Sequence, residues 1–314
     1  MADIIEQLTR EFNLKTFQVR NTVKLIDEGN TIPFIARYRK EMTGELSDRV
    51  LRELYDRLVY LRNLESRRGD VKRLIEEQGK LTDEIAAALG KAATLQEIED
   101  IYRPFKPKRR TRAAIAREKG LESLAEVIFA QDIAEGSIED TAGPFVNPDK
   151  GINTIEEALN GAMDIIAEDI SDNAGYRKTV REMFFRYGTV ISEARKEEDS
   201  VYRMYYDFKE PVSKIASHRV LALNRGEKEE YLQVRIEVPD ERIIDYLKSQ
   251  VVKKKPSITS EYVARAAEDS YYRLIAPSIE NEVRNELTEA AEEQAMKVFA
   301  ENLRNLLLQP PVKG

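Results

Sequence analysis

The sequence predicts a mainly α fold: a multi-helix scaffold with a helix-turn-helix-like element, a long central helix and a small β patch. Three observations point there. Apolar residues recur three and four apart along most of the 314 residues, the periodic segments open and close on helix-capping residues, and β-favouring runs gather only beyond residue 187. A content of 42% hydrophobic residues fills a core even though 34% of the residues are charged.

Residues 3–11, 16–28 and 32–38 read as a compact series of short helices. Gly29-Asn30 suits a left-handed helix end, and Pro33 suits the first turn of the next helix, which together make the helix-turn-helix-like element. Over residues 48–78, Leu51, Leu54, Leu58, Leu61, Leu64, Val71, Leu74 and Ile75 mark one apolar stripe. That is a helix of about 46 Å at 1.5 Å per residue, ending at Gly79. "TLQE" (94–97) and "TIEE" (154–157) match the capping box, in which the Thr hydroxyl and the following carboxylate each satisfy an orphan backbone N–H. Residues 133–151 carry Gly, Pro, Asn and Asp and predict a loop between helical layers.

"YGTVISEA", from Tyr187, and "YLQVRIEV", with Leu232, Val234 and Ile236 on one face, predict two or three strands. The last third returns to helix, broken by "KKKPS" (253–257) and by Pro277. A long pattern then covers residues 278–308, before a Pro310-Pro311 linker. The resulting segments are 1–80, 81–186, 187–257 and 258–314.

Catalytic motifs do not emerge from this pattern. With no cysteine, the chain has no disulfide, thiol nucleophile or thiolate metal site, and a single histidine, His218, makes an imidazole-rich metal site unlikely. In "ASHRVLALNRGEKE" the structural assignment is the better one: Ser217 caps a short helix, His218 lies in its first turn and Gly226 ends it. Neither G-x-x-x-x-G-K-[ST], G-x-G-x-x-G nor H-E-x-x-H is present, and the pairs Glu76-Glu77 and Glu197-Glu198 fall on solvated faces. The N-terminus lacks a signal-peptide pattern, and no apolar run approaches the roughly 20 residues of a membrane span. A soluble, intracellular, non-enzymatic protein without cofactor or metal is expected.

The net charge is −7, so any site for a polyanion must be local. "YRPFKPKRRTRAAIAREKG" (102–120) sets eight Lys or Arg against one acid. Tyr102, Pro104, Phe105 and Pro107 predict a stiff extended lead-in. Residues 109–119 then enter a helix with Ala113, Ala114, Ile115 and Ala116 on its packed side. Holding Arg103, Lys106, Lys108, Arg109, Arg110 and Arg112 together costs repulsion that phosphates would relieve, and Tyr102 and Phe105 are candidates to stack on an unpaired base. The alternative is internal neutralisation, for example by the acids of "EIEDIY" (97–102). A second run, Arg37, Arg39 and Lys40, adjoins the apolar "IPFIA", where buried pairing with Glu41 competes with phosphate binding. The third, 253–255, is expected to be solvated.

"GNTIPFIARYRKEMTGELSD", "EQGKLTDEI", "IEDIYRPFKPKRRTRAAIAREKGLESLA", "SHRVLALNRGEKE" and "VFAENLRNLLLQPP" together resemble the N-terminal region of the bacterial Tex family, transcription accessory proteins similar in architecture to eukaryotic Spt6. The resemblance implies a cytoplasmic, transcription-associated helical scaffold that binds RNA or single-stranded DNA. It further implies contact with RNA polymerase or a transcription complex, and no catalytic residue in this region. In that family a YqgF/RNase H-like domain, helix-hairpin-helix modules and an S1 domain follow, so the chain is expected to be truncated before the first of these. A protein-interaction scaffold that positions those modules is the alternative function.

Overall fold

The computed structural model describes residues 2–107, 110–196 and 198–309. It is mainly α with a small antiparallel sheet, and it divides into two units, Met1–Phe105 and Lys106–Gly314.

In the first unit, α1 (Ala2–Glu11), α2 (Thr16–Asp27) and α3 (Ile32–Tyr38) pack on the 30-residue α5 (Asp48–Glu77), and α4 (Lys40–Thr43) packs on α2 and α3. Gly29 takes φ 82°, which a β-carbon would strain, and Pro33 sits in the first turn of α3, as the sequence predicts. The stripe of α5 is buried from Leu51 to Ile75. Its end is a Schellman-type turn in which the N–H groups of Gly79 and Lys80 donate to the carbonyls of Glu76 and Ile75 at 2.8 and 3.2 Å. Two further helices, α6 (Asp83–Lys91) and α7 (Leu95–Tyr102), complete the core. Thr94 accepts from the Glu97 N–H at 3.1 Å, and the Glu97 carboxylate accepts from the Ala93 N–H at 2.7 Å. The expected extended lead-in at 102–107 is instead the last residue of α7 followed by a 3₁₀ turn, Arg103–Phe105. Pro104 fixes a φ that such a turn shares, and Phe105 is drawn onto the core.

The second unit is organised on α11 (Ile155–Asp172). Against it pack α8 (Arg112–Glu118), α9 (Glu122–Ala130) and, after the short α10 (Ile138–Ala142), more distant elements. Gly161 permits the closest approach, since a β-carbon there would stand 2.4 Å from Leu121 Cδ1. The predicted loop at 133–151 contains α10 and two 3₁₀ turns, and Ser137 caps α10 through the Asp140 N–H at 3.1 Å.

Next come α12 (Ala174–Tyr187), β1 (Thr189–Ala194), β2 (Asp207–Pro211), α13 (Ser217–Lys228) and β3 (Leu232–Glu237), with sheet order β2-β1-β3, all antiparallel. Leu232, Val234 and Ile236 are buried on one face, with Ile236 opposite Val190. The sequence pattern misses β2, "DFKEP", because it is an edge strand with no buried residue. Two assignments on α13 change. Its N-cap is Ala216 rather than Ser217. Gly226 lies inside the helix, where a β-carbon would meet Leu232 Cδ1 at 2.5 Å, so close packing rather than termination requires the glycine.

The chain ends in α14 (Asp240–Val251), α15 (Ser260–Asp269), a π-helical turn Ser270–Ile275 and α16 (Ala276–Leu307). Pro277 does not break this path. The wide turn before it suspends the i−4 hydrogen bond that proline cannot make, so Pro277 sits in the first turn of α16. The Pro310-Pro311 linker lies outside the described residues.

Helix α16 is anchored by buried charge. Arg177 of α12 is fully buried and pairs with Glu282, and it donates to Ser278 Oγ at 3.0 Å. Arg181 reaches the same carboxylate through Nε at 3.1 Å and Nη2 at 2.7 Å. Removing the carboxylate that both guanidiniums share weakens the compensation of buried charge in a poor dielectric. Glu282→Ala is therefore expected to cost about 3–5 kcal/mol, read as a lowered urea midpoint. A loss below about 1 kcal/mol would show that the Glu282 pairs do not anchor α16.

Candidate nucleic-acid interface

In the first unit, the turn from α3 into α4 carries Arg37, Arg39 and Lys40. Ile35 is the residue of α3 that faces the core, which turns the following residues outward, and residues 37–40 are all exposed. The turn is fixed from behind by α2: Gln18 Nε2 donates to the Gly44 carbonyl at 3.0 Å and Asn21 Nδ2 to the Met42 carbonyl at 2.7 Å. Gly44 has φ 64°, and a β-carbon there would stand 2.8 Å from Gln18 Nε2, so a larger residue is disfavoured twice.

Arg37, Tyr38, Arg39 and Lys40 line an open groove of about 660 Å³ with Leu25, Glu28, Glu41 and Met42. Burial of the three cations against Glu41 does not occur, because α3 turns Ile35 to the core and residues 37–41 to the surface. Among the described residues none of the three forms an ion pair. The Arg39 guanidinium lies 5.3 Å from the Phe34 ring centroid, and its Nη1 donates to the Tyr38 carbonyl at 3.2 Å. Phe34 and Tyr38 are sequence-silent in function: the only signal was an i,i+4 aromatic pair beside a basic run.

The main basic stretch is distributed differently. Tyr102 is buried in the core of the first unit and Phe105 packs partly buried against it, so neither is free to stack on a base. Arg67 lies over the Tyr102 ring at 5.6 Å and pairs with Glu99 at 2.6 Å. Arg103 is half-buried at the end of that unit, and Lys106 is exposed. Lys108 and Arg109 lie outside the described residues, as does Glu197 of the Glu197-Glu198 pair.

In the second unit Thr111 caps α8, accepting from the Ala114 N–H at 3.0 Å, and Ala113 and Ala116 bury its inner face. Arg117 is claimed internally. It donates to Glu168 at 2.7 Å and Asp169 at 2.6 Å, both on α11, and lies 3.7 Å from Glu122. Burial opposes its charge, but the Glu168 hydrogen bond and the surrounding carboxylates outweigh burial and hold its pKa above the ordinary arginine value. Lys119 donates to the Gly151 carbonyl at 2.8 Å.

Arg110 meets Glu118 at 3.3 Å with both side chains largely exposed, a pair worth little. Arg112 is exposed at a hollow of about 380 Å³, shared with Lys119, Glu157 and Asp164. Burial pushes the Asp164 carboxyl up from its usual range against the pull of Arg273, 2.9 Å away, and of Arg112. The third run is partly engaged as well, since Lys253 pairs with Asp132 at 3.1 Å.

Among the described residues no group of three or more His, Asp or Glu is placed to hold a metal ion. No helix there is long and apolar enough to cross a membrane. His218 is exposed in the first turn of α13.

Residues 2–76 match the family model of the Tex-like protein N-terminal domain, and residues 135–299 match the Tex central region-like model. The chain is 46% identical over 313 residues to an uncharacterised protein of Bacillus subtilis, YdcI, covering 98% of this chain and 43% of that protein. It is 40% identical over 326 residues to protein tex of Bordetella pertussis, covering 99% and 41%. A third relative, transcriptional accessory protein Tex of Neisseria gonorrhoeae, is 37% identical over 317 residues, covering 98% and 41%. The chain thus spans about two-fifths of the length of these relatives.

The internal role of Arg117 has a measurable consequence. Arg117→Met removes the guanidinium that Glu168 and Asp169 share, and the expected loss is about 2 kcal/mol. At this size that is a fall in Tm of about 4–8 °C. An unchanged Tm in differential scanning calorimetry would contradict this assignment.

Proposed function

The chain belongs to the Tex family, and from that membership and its unpaired surface cations we propose that it is a non-enzymatic, nucleic-acid-binding part of a transcription accessory protein. It engages RNA or single-stranded DNA mainly through phosphates. The observation that carries this reading is the turn between α3 and α4, where Arg37, Arg39 and Lys40 stand exposed around one groove without an ion pair among the described residues. Exposed cations without an ion-pair partner are open to phosphate contact, against the opposing pull of Glu28 and Glu41 in the groove lining. Arg110 and Arg112 are a second, weaker contact, since Glu118 and Asp164 stand beside them. The helix-turn-helix-like arrangement of α1 to α3 is the frame that presents the first group. The Neisseria relative is named a transcriptional accessory protein, and we extend that role to this chain, with RNA polymerase or a transcription complex as its partner and the cytoplasm as its location.

Phosphate binding predicts a salt dependence. For single strands, log K falls against log salt with a slope of about −0.7 per phosphate neutralised. Replacing Arg37, Arg39 and Lys40 together by Gln is expected to make that slope shallower by about 2 and to weaken binding alike for all sequences. Fluorescence anisotropy of a labelled RNA at several salt concentrations reads both. Affinity by the unaltered chain that ignores salt would remove the proposal.

A second reading, an interaction scaffold, is favoured by α16. Beyond Ala291 its residues are exposed, and Met296, Phe299, Leu303, Leu306 and Leu307 are among them, with Phe299 62% and Leu307 74% exposed. Such an apolar face suits docking to the part of the polypeptide that the full-length relatives carry outside the matched region. Phe299→Glu with Leu303→Glu is expected to weaken association with that separately produced part at least ten-fold in calorimetric titration. Equal affinity of wild type and variant would exclude α16 as the contact.

A further inference from the structure

The groove at the α3–α4 turn contains more than cations. Tyr38 is 60% exposed, and among the described residues its hydroxyl has no hydrogen-bond partner. Its ring stands 5.2 Å from that of Phe34, one helical turn earlier, with the two planes inclined at 46°. Phe34 is itself flanked by the Arg39 guanidinium. The exposed ring is therefore steadied on one side by Phe34, which itself carries the Arg39 guanidinium, while much of it remains in water.

Arg37, Arg39 and Lys40 supply positive charge on the same turn, whereas Glu28 and Glu41 supply negative charge to the groove lining. A phosphate is attracted by the first set and repelled by the second. A base is uncharged, so the carboxylates do not exclude it. The arrangement accordingly admits a nucleotide in one sense, with base toward the groove and phosphate toward the basic turn. The groove volume, about 660 Å³, falls within the roughly 300–1,000 Å³ of small-molecule sites.

Resting on the nucleic-acid reading above, we propose that Tyr38, backed by Phe34, is a stacking platform for one unpaired base whose phosphates are held by Arg37, Arg39 and Lys40. The platform makes the site selective for single strands. In a duplex both faces of a base are already stacked, and A-form geometry leaves bases inaccessible to a side chain approaching from the backbone. Stacking on an aromatic tolerates every base, so the site discriminates strandedness rather than sequence.

The test compares a labelled 12-nucleotide oligouridine with a 12-base-pair RNA duplex, both titrated with the chain at several salt concentrations. Tyr38→Ala is expected to weaken oligouridine binding about ten-fold or more, within the range for loss of one base–aromatic stack, and to leave the salt slope and the duplex affinity unchanged. Tyr38→Phe, which keeps the ring, is expected to bind like the unaltered chain. Tyr38 is exposed, and a preserved circular-dichroism melting curve verifies that the Ala variant is folded. Unaltered oligouridine affinity in Tyr38→Ala, or equal weakening for strand and duplex, overturns the stacking platform while leaving phosphate binding in place. Absence of salt-dependent binding by the unaltered chain overturns the parent reading and this one with it.

Discussion

A cation held against a packed apolar core must be met by a carboxylate, and that requirement sorts the basic residues of this protein. Arg177 and Arg181 share Glu282 where α16 leaves α12. Arg117 is held by Glu168 and Asp169 of α11, Arg273 by Asp164 and Asp269, and Arg284 by Glu227. In each case the acid comes from a packed helix or an adjacent turn, so the pairs also fix helix register. Charge that the core does not need is left at the surface, and it is there that a polyanion can compete for it.

The same principle separates two groups that look alike in composition. Residues 102–120 are the most basic stretch of the chain, yet Arg117 is spent on packing α8 against α11, Lys119 on the Gly151 carbonyl, and Tyr102 on the core. The shorter run at 37–40 has fewer cations but forms no ion pair among the described residues. Local density of charge is therefore a poorer guide to an interface than the availability of acids on the neighbouring elements. The apolar half-turns of α16 pose the matching question for hydrophobic surface: up to Ala291 they fill the core, and past it they face water.

Much of the fold was legible because it rests on local chemistry. Gly29, Pro33, Gly79, Thr94 and Thr154 mark their helix ends by backbone conformation and cap hydrogen bonds that need only a few neighbouring residues. The stripe of α5 and the alternation of β3 are likewise periodic within themselves. Strand β2 escaped because an edge strand with no buried residue has no pattern to betray it. Gly226 and Pro277 have the local pattern of helix breakers because what tolerates them is remote or irregular: Leu232 of β3 pressing on Gly226, and a π-helical turn ahead of Pro277.

The sequence by itself determined the helical class, the order of the elements and the basic character of two segments, since each follows from periodicity, capping and composition over short spans. It also carried the family resemblance that the matched regions establish. Which arginines are bound to the protein's own carboxylates, and which aromatic ring stays in water, only the tertiary structure decided. Both depend on groups from segments tens of residues away, Glu168 for Arg117 and the core around α5 for Tyr102, and no local pattern states where such partners will meet.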